Sequence, residues 1–249
     1  MVRHRSADFV PRLLQTAARV FARQGLKGSR MADIAREMGV AHGSLYNYVE
    51  SKEALFLLLV DQWGRADVDL SDRELPLKTP PMDSIVNRLR QRVAETFPLP
   101  ALDAALKRRR PADPHAELHT VVQELFDRTE RSREGATILE RSARDVPELF
   151  GLFFEQVRRD LFDRLTRYVT IRMQDGAFHI ADPQTAARFI IESVTFFARH
   201  RFLDPHPQTL DDRAVRQTIV DLVTRSLTVG GGTTGRSKRP AKRSVRRRS

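Results

Sequence analysis

The stretch from Gly25 to Leu55 constrains the fold more than any other part of this chain. Apolar residues at helical spacing predict a short amphipathic helix over about residues 30–38. Gly39 follows where the chain must reverse, and glycine adopts the left-handed conformation that ends a helix without steric cost. A second short helix is predicted over about residues 42–49. Two short helices joined by so tight a turn predict a helix-turn-helix, whose second helix lies in the major groove of DNA.

The predicted second helix is too polar to belong to a core. Its side chains include an imidazole, a hydroxyl, an amide and two phenols, supplied by His42, Ser44, Asn47, Tyr46 and Tyr48. Such groups can hydrogen-bond to base edges and phosphates, and aromatic faces can pack on sugars or on the methyl group of thymine. The alternative interpretation is a short polar surface helix in another kind of all-α protein.

The run LLQTAARVFARQGLKGSRMADIAREMGVAHGSLYNYVESKEALF resembles the DNA-binding domain of the Tet repressor (TetR/AcrR) family of bacterial transcriptional regulators. The resemblance extends from about Phe9 to Leu59. Its most specific part is the succession of AREMGV, GSLYNYV and SKEAL at fixed spacing. It implies an all-α fold in which an N-terminal three-helix helix-turn-helix domain precedes a larger helical domain for effector binding and dimerisation.

The resemblance also assigns nine residues to the contact with DNA. They are Ser29, Arg30, His42, Gly43, Ser44, Tyr46, Asn47, Tyr48 and Lys52. Ser29 and Arg30 are expected at the DNA backbone or at a base edge. The members from His42 to Asn47 are expected to face the major groove, while Tyr48 and Lys52 hold phosphates.

Two positions depart from the family pattern. The family commonly has Ser or Thr as the cap of the second helix and Lys just after it, whereas this chain has Ala41 and His42. Alanine is a poor N-cap, at a cost of about 1 kcal/mol. We therefore expect this helix to form fully only on DNA, and the base preference at His42 does not carry over from the family.

The net charge of +11 is concentrated at the two ends of the chain. Residues 1–52 contain nine basic and four acidic residues, and the tail 230–249 contains eight basic and no acidic residues. The middle of the chain is close to neutral. This distribution indicates an anionic partner that the ends bind, with the low-complexity tail adding salt-sensitive affinity for any DNA.

Composition also limits where such a chain works. It has no cysteine, which excludes disulfides and thiolate metal sites. No apolar run approaches the roughly 20 residues of a membrane span, and the N-terminus MVRHRSADF lacks the apolar segment of a signal peptide. We expect a soluble, cytoplasmic protein with no membrane partner.

The rest of the chain is predicted to be helical, with four helix starts marked by capping residues. These are Ser51, Asp113, Asp182 and Asp211, and we expect Asp8 to cap the first helix in the same way. The predicted domains are residues 1–52 for DNA binding, 53–229 for effector binding and dimerisation, and 230–249 as a disordered basic tail.

The last two predicted helices, about 183–202 and 211–228, carry more apolar surface than one chain can bury. The first is apolar on almost every side, and such a helix must be covered on all sides. We expect the pair to form half of a four-helix interface between two copies of the chain. Ile219 is predicted to lie on that seam.

Two other features allow a functional and a plain reading. Trp63, the only tryptophan, either belongs to the core or lines a ligand pocket. His115 and His119 are one helical turn apart, which suits a metal, but no third ligand is near in sequence, and surface histidines are the favoured explanation. We expect no metal and no cofactor.

These observations predict a dimeric, all-α transcriptional regulator, most simply a repressor that a small-molecule effector releases from a palindromic double-stranded operator. One alternative is a DNA-packaging protein that uses its basic ends without sequence choice. Another is an enzyme with a DNA-binding head, which is disfavoured because no acid/base, nucleophile or phosphate-loop motif is present. Activation instead of repression stays open.

Overall fold

The computed structural model of the chain describes residues 8–63, 70, 74–179, 182–206 and 208–228. Within these residues the chain folds into helices joined by loops, and β-structure is limited to two isolated bridges. The all-α fold class that the sequence predicts is confirmed. Residues 1–7 and the predicted basic tail at 230–249 lie outside the described residues.

The helices fall into a short N-terminal group and a larger group after it. The first group is α1 (Phe9–Gly28), α2 (Met31–Met38), a 3-10 helix (His42–Asn47) and α3 (Lys52–Gln62). The second group is α4 (Met82–Thr96), α5 (Pro100–Lys107), α6 (Pro114–Arg131), α7 (Arg133–Ala143), α8 (Pro147–Phe150) with a π-helical continuation (Gly151–Arg158), α9 (Arg159–Gln174), α10 (Pro183–Ala198), a 3-10 turn (His200–Leu203) and α11 (Asp212–Leu227). None of the described helices is long and apolar enough to cross a membrane.

Side-chain caps start the helices where the sequence predicts them, with one exception. Ser51, Asp113, Asp182 and Asp211 each accept a hydrogen bond from the backbone N–H three residues on. The prediction for Asp8 is wrong, because its own backbone is already helical and its side chain makes no capping hydrogen bond. An N-cap residue needs an extended backbone to turn its side chain toward the first free N–H groups.

The sequence pattern predicts single helices over about residues 113–143 and 147–176, and both are interrupted. The first divides at Ser132, whose ψ of 3° ends α6 and whose hydroxyl donates to the carbonyl of Arg128. A serine hydroxyl that competes for backbone carbonyls favours such a break. The second contains the π-helical turn at Gly151–Arg158. The sequence pattern also continues α3 toward Leu70. The described part of α3 ends at Gln62, and the rest of that prediction falls on residues 64–69, which lie outside the described residues.

The apolar side chains form two buried clusters. One joins α1, α2, α3 and α4 to α7 and α8, and the other joins α5, α6, α9, α10 and α11. The N-terminal helices therefore share a continuous core with α7 and α8. A displacement of α7 or α8 would therefore change the packing at the base of the helix-turn-helix.

A buried ion cluster ties α5, α6 and α9 together in the second core. Arg172 is fully buried, and its guanidinium donates to Glu117 at 2.6 Å and to the carbonyl of Ala105 at 2.8 Å. The Tyr168 hydroxyl donates to the same carboxylate at 3.3 Å. Burial, followed by the charge of Glu117, raises the pKa of Tyr168. Each charge in the cluster has a partner, which is the condition under which buried ions are tolerated.

Apolar residues on α10 and α11 divide between the core of the chain and its surface. Phe189, Phe196 and Leu222 are 45%, 47% and 58% exposed, whereas Ile219 is buried in the chain's own core. Ile219 therefore does not lie on an exposed seam as the sequence suggested. The 3.6-residue period places Ile219 and Leu222 alike on apolar positions of α11. Packing against α6 and α10 decides which of the two faces inward.

Candidate nucleic-acid interface

The turn of the helix-turn-helix is closed by backbone hydrogen bonds around Gly39. This residue has φ 69° and ψ 34°, the left-handed conformation expected from the sequence. The Gly39 N–H donates to the carbonyl of Arg36, and the Val40 N–H donates to the carbonyl of Ala35. A residue with a Cβ would be strained at this φ, so the glycine sets the angle between α2 and the helix after it.

The second helix of the motif, which we call the reading segment (His42–Asn47), is a 3-10 helix. The sequence predicts a helix over 42–49, and the regular part ends two residues earlier. Ala41 makes no capping hydrogen bond, since its side chain has no acceptor. One fully buried residue, Leu45, anchors the segment to the core. Its formation as a full helix only on DNA stays a prediction.

The outer face of the reading segment presents polar groups to solvent. His42, Gly43, Tyr46 and Asn47 are exposed, and Ser44 is half-buried. The rings of His42 and Tyr46 meet edge to face with their centroids 5.1 Å apart. A Cβ built on Gly43 would have no protein atom within 4 Å. Packing within the protein therefore gives no reason for glycine at this position.

Two of the nine predicted contact residues have buried side chains in this conformation. Ser29 is 1% exposed, and its hydroxyl donates to the carbonyl of Gly25 at 2.6 Å. Tyr48 is 7% exposed, and its ring stacks on Phe9 at a centroid distance of 4.6 Å. Both support the motif from within, and a contact of either side chain with DNA stays a prediction.

Lys52 and Arg30 supply positive charge beside the reading segment. The Lys52 ammonium donates to the carbonyls of Lys27 and Ser29 at 3.0 and 3.1 Å, at the C-terminal end of α1. An ammonium has three donors, so these two bonds hold Lys52 in place and still leave one donor for a phosphate. Arg30 is exposed immediately before α2.

The segment at residues 74–80 packs against the chain just after the reading segment, which the sequence does not predict. The Leu77 N–H donates to the carbonyl of Tyr48 at 2.8 Å, and the Glu50 N–H donates to the carbonyl of Leu77 at 2.9 Å. The Glu50 carboxylate accepts from Lys78 and from the Thr79 N–H, and these bonds lower its pKa. The prolines here indicate only a loop, because pairing over such a distance leaves no local signal.

A second contact joins the base of the motif to α7. Gly25 has φ 72° within α1, and a Cβ there would lie 3.1 Å from the carbonyl oxygen of Arg141. The N–H of Leu26 donates to the hydroxyl of Ser142 at 3.0 Å, and the Arg141 guanidinium donates to the carbonyl of Arg23. Two independent features require glycine at position 25: the positive φ of its backbone and the close approach of α7.

α7 also lines a cavity of about 100 Å³. Its wall is mostly apolar and includes Trp63, as one of the two readings of the sequence allows. The Trp63 ring lies against the backbone of α7, where a Cβ on Gly135 would come within 1.9 Å of it. Ala136 and Leu139 of α7 also line the cavity. One helix therefore contacts both the cavity and the base of the helix-turn-helix.

The two histidines considered as metal ligands lie on the surface of α6. His119 is 3.8 Å from the carboxylate of Asp221 on α11. No group of three potential metal ligands occurs among the residues that the structure describes.

Comparison with known families finds two matches along the chain. The family described as "Bacterial regulatory proteins, tetR family" matches residues 13–59, which contain the helix-turn-helix. The family described as "AefR-like transcriptional repressor, C-terminal domain" matches residues 136–229, from within α7 to the end of α11. A curated relative, the HTH-type transcriptional repressor KstR2 of Mycolicibacterium smegmatis, is 49% identical over 43 residues, which are 17% of this chain and 21% of the relative.

Solved structures share the fold at lower sequence identity. KstR2 of Mycobacterium tuberculosis has a TM-score of 0.52 at 19% identity, with 88% of this chain and 94% of that chain covered. AibR in complex with isovaleryl coenzyme A and operator DNA has a TM-score of 0.50 at 19% identity, with 86% and 96% covered. A tetR-family regulatory protein from Rhodococcus RHA1 has a TM-score of 0.50 at 18% identity, with 88% and 96% covered.

Proposed function

The chain belongs to the TetR family of bacterial transcriptional regulators, and from this premise we propose that it is a dimeric repressor that a small molecule releases from a palindromic operator. The observation that carries the proposal is the reading segment. It turns polar side chains outward from a motif that the core holds rigidly from behind. Side chains of this kind are suited to base edges, and the cations beside them are suited to phosphates.

We assign the DNA contact to the exposed members of the predicted set. His42, Gly43, Ser44, Tyr46 and Asn47 read the major groove, and Arg30 and Lys52 bind phosphates. Ser29 and Tyr48 contribute by fixing the backbone that carries these residues, through the bonds to Gly25 and the stacking on Phe9. In this assignment Gly43 allows the protein backbone to approach the DNA closely.

The proposed dimer interface is the exposed apolar surface of α10 and α11. Phe189, Phe196 and Leu222 are large side chains about half exposed on neighbouring helices, and exposed apolar patches of this kind mark interaction sites. Two copies of the pair form a four-helix interface about a two-fold axis. The two reading segments then lie about 34–36 Å apart, one turn of DNA, or at a similarly simple spacing.

The proposed effector site is the cavity beside Trp63. AibR, which shares the fold, is described with isovaleryl coenzyme A and operator DNA. In this chain α7 provides a route between ligand and DNA, since Ala136 and Leu139 line the cavity while Ser142 bonds to Leu26. The dimer has one conformation whose reading segments are spaced to fit DNA and another whose spacing does not fit. An effector releases the DNA if it binds the second conformation more tightly than the first.

Within this proposal the three predicted domains keep their roles. Residues 1–52 bind DNA, 53–229 sense the effector and form the dimer, and the basic tail at 230–249 adds affinity for any DNA. Because the tail contains eight basic residues and no acidic ones, its contribution should fall as salt rises.

Selection of bound sequences from a random DNA pool tests the proposed function. We expect enrichment of a two-fold symmetric site from the full chain, because each half-site is read by one reading segment. Asn47→Ala should relax the preference at one position per half-site, whereas Lys52→Ala should weaken binding to all sequences alike. Enrichment without any preferred sequence would contradict the proposal and favour the DNA-packaging alternative.

A further inference from the structure

The cavity beside Trp63 has an apolar body and a cationic end. The apolar part includes Trp63, Phe97, Phe153, Leu161 and Ile191, and the cationic part is formed by Arg158 and Arg199. Arginine is seldom buried, and two arginines in the wall of an apolar cavity are therefore unusual. They therefore carry information about what the cavity accepts.

Arg199 is the more informative of the two because it is buried with one donor unused. Its side chain is 6% exposed, and one of its terminal nitrogens donates to the carboxylate of Glu140. Its Nε has no hydrogen-bond partner within the described part of the chain. A buried donor without a partner is destabilising, and Arg199 belongs to the wall of the cavity, so its guanidinium is the group with which a bound acceptor would pair.

Several of the other polar groups of the wall already have partners within the protein. Arg158 is about a quarter exposed and pairs with Glu192 at 2.7 Å. The hydroxyls of Thr129 and Ser132 donate to carbonyls of their own helix at 2.8 and 2.7 Å, so their protons are not available to a ligand. The charged donors of the wall are the guanidinium groups of Arg158 and Arg199, and guanidinium groups bind carboxylates with particular strength.

We propose that the ligand of this cavity is a small carboxylic acid with an aromatic or branched aliphatic body. Its carboxylate accepts hydrogen bonds from Arg199 and Arg158, and its body lies against Trp63, Phe97 and Phe153. The inference rests on the proposed function in taking this cavity as the effector site. The volume of about 100 Å³ is below the roughly 150 Å³ of a dry cavity that accommodates benzene, so the body can be no larger than a single ring or a short branched chain.

Binding can be followed without a label because Trp63 is the only tryptophan and lines the cavity. The full chain is titrated with phenylacetate, isovalerate and hexanoate, and with the alcohols that carry the same bodies. We expect at least one acid to change the Trp63 fluorescence and to bind at least about tenfold more tightly than its alcohol, as one charge-assisted hydrogen bond provides. The coenzyme A thioesters of the same acids form a third arm, since they lack the free carboxylate.

The matched variants separate Arg199 from positive charge in general. Arg199→Lys keeps a cation for Glu140 but removes Nε, so the preference for acid over alcohol should fall about tenfold. Arg216→Lys is the control, because Arg216 pairs with Asp127 and does not line the cavity; its preference should be unchanged. If Arg199→Lys fails to fold, Arg158→Lys is judged by the same ratio.

Three results would overturn the inference: no acid binds, alcohols or thioesters bind as tightly as acids, or the preference survives in the Arg199 and Arg158 variants. The random-pool selection keeps this failure distinct from failure of the proposed function. A selected site that only a neutral molecule releases leaves the repressor proposal standing and removes the carboxylate. If the protein prefers acids but selects no DNA sequence, the carboxylate inference stands and the repressor proposal fails.

Discussion

At the scale of single residues, a substitution at Gly43 tests contact with DNA without disturbing the fold. A Cβ there has open space in the protein, and its φ is not in the left-handed region. Gly43→Ala should therefore leave the free energy of unfolding unchanged or raise it by about 0.5–1 kcal/mol. Affinity for the selected site should fall at least about tenfold if the backbone lies against DNA.

The measurement is a binding isotherm on the selected site beside a denaturant titration. Gly151→Ala is the control, since its Cβ is also accommodated, with only the Glu155 side chain nearby at 3.7 Å, and it lies far from the reading segment in sequence. Unchanged DNA affinity in Gly43→Ala would remove Gly43 from the contact surface.

Glu140 gives a prediction on pH. Burial opposes its ionisation, but the hydrogen bond from His200 and the charges of Arg199 and Arg158 outweigh burial and lower its pKa to about 2. Arg144 also faces this carboxylate, at 3.7 Å. A carboxyl group whose pKa is lowered by folding stabilises the fold above its unfolded value of 4.5, and this contribution is lost as pH falls toward 2.

Glu140→Gln isolates that contribution from the other carboxylates. At neutral pH the variant should be less stable by about 2 kcal/mol, an amount reduced for partial exposure to solvent. The two free energies of unfolding should converge as pH falls from 4.5 to 2. A difference that stays constant across this range would show that the ion pairs of Glu140 do not act in the folded state.

Residue-level signals in the sequence were sound where the physics is local. Gly39 had to adopt a positive φ to reverse the chain, and four side-chain oxygens had to cap helices that begin beside them. Leu45 was predictable as the apolar anchor of a polar segment. Arg199 was not, because its position in a cavity depends on residues of α3, α4, α7 and α9 that meet only in the folded chain.

At the scale of elements, the contact between α7 and Trp63 explains an otherwise unfavourable glycine. Alanine is normally about 1 kcal/mol better than glycine inside a helix. In Gly135→Ala, however, the new Cβ would meet the Trp63 ring at 1.9 Å, so the ring must move. We expect lower stability and a changed fluorescence spectrum of Trp63, whereas Gly151→Ala should lack both effects. An unaltered spectrum in Gly135→Ala would show that the ring does not lie against α7.

The proposed dimer interface is also tested at the scale of elements. Leu222 is 58% exposed on α11, so Leu222→Asp should leave the monomer folded while it places an unpaired charge in the interface, at a cost of several kcal/mol. Sedimentation should then report monomers. The far-ultraviolet circular dichroism of the variant should match that of the parent protein. Ile219→Asp is the contrasting variant, because its burial predicts loss of the fold. A stable dimer of Leu222→Asp would exclude this face.

Elements illustrate why sequence patterns stop short of an interface. The period of α11 marks Ile219 and Leu222 alike as apolar, yet one is buried within the chain and the other is exposed. The segment at residues 74–80 is a second example, since its hydrogen bonds to Tyr48 and Glu50 join parts of the chain that are distant in sequence. Periodicity describes one helix, whereas an interface depends on all the helices around it.

At the scale of the whole molecule, one buried core connects the helix-turn-helix to the helices that line the cavity. The helix-turn-helix shares its buried cluster with α7 and α8, and α7 also lines the cavity. The reading segment is further supported by residues 74–80, directly before α4, whose Val93 and Thr96 line the same cavity. A ligand that shifts α4 or α7 therefore acts on both supports of the DNA-reading surface.

The central claim, that this chain reads a DNA sequence and does not merely bind polyanions, is tested most directly by salt titration. Affinity of the full chain is measured on the selected site and on a scrambled duplex of equal length across a range of salt. We predict parallel slopes of log K against log[salt], with the selected site bound at least about 10³-fold more tightly throughout. Equal affinity for the two duplexes at every salt concentration would contradict the claim and leave only the charge of the two ends to explain binding.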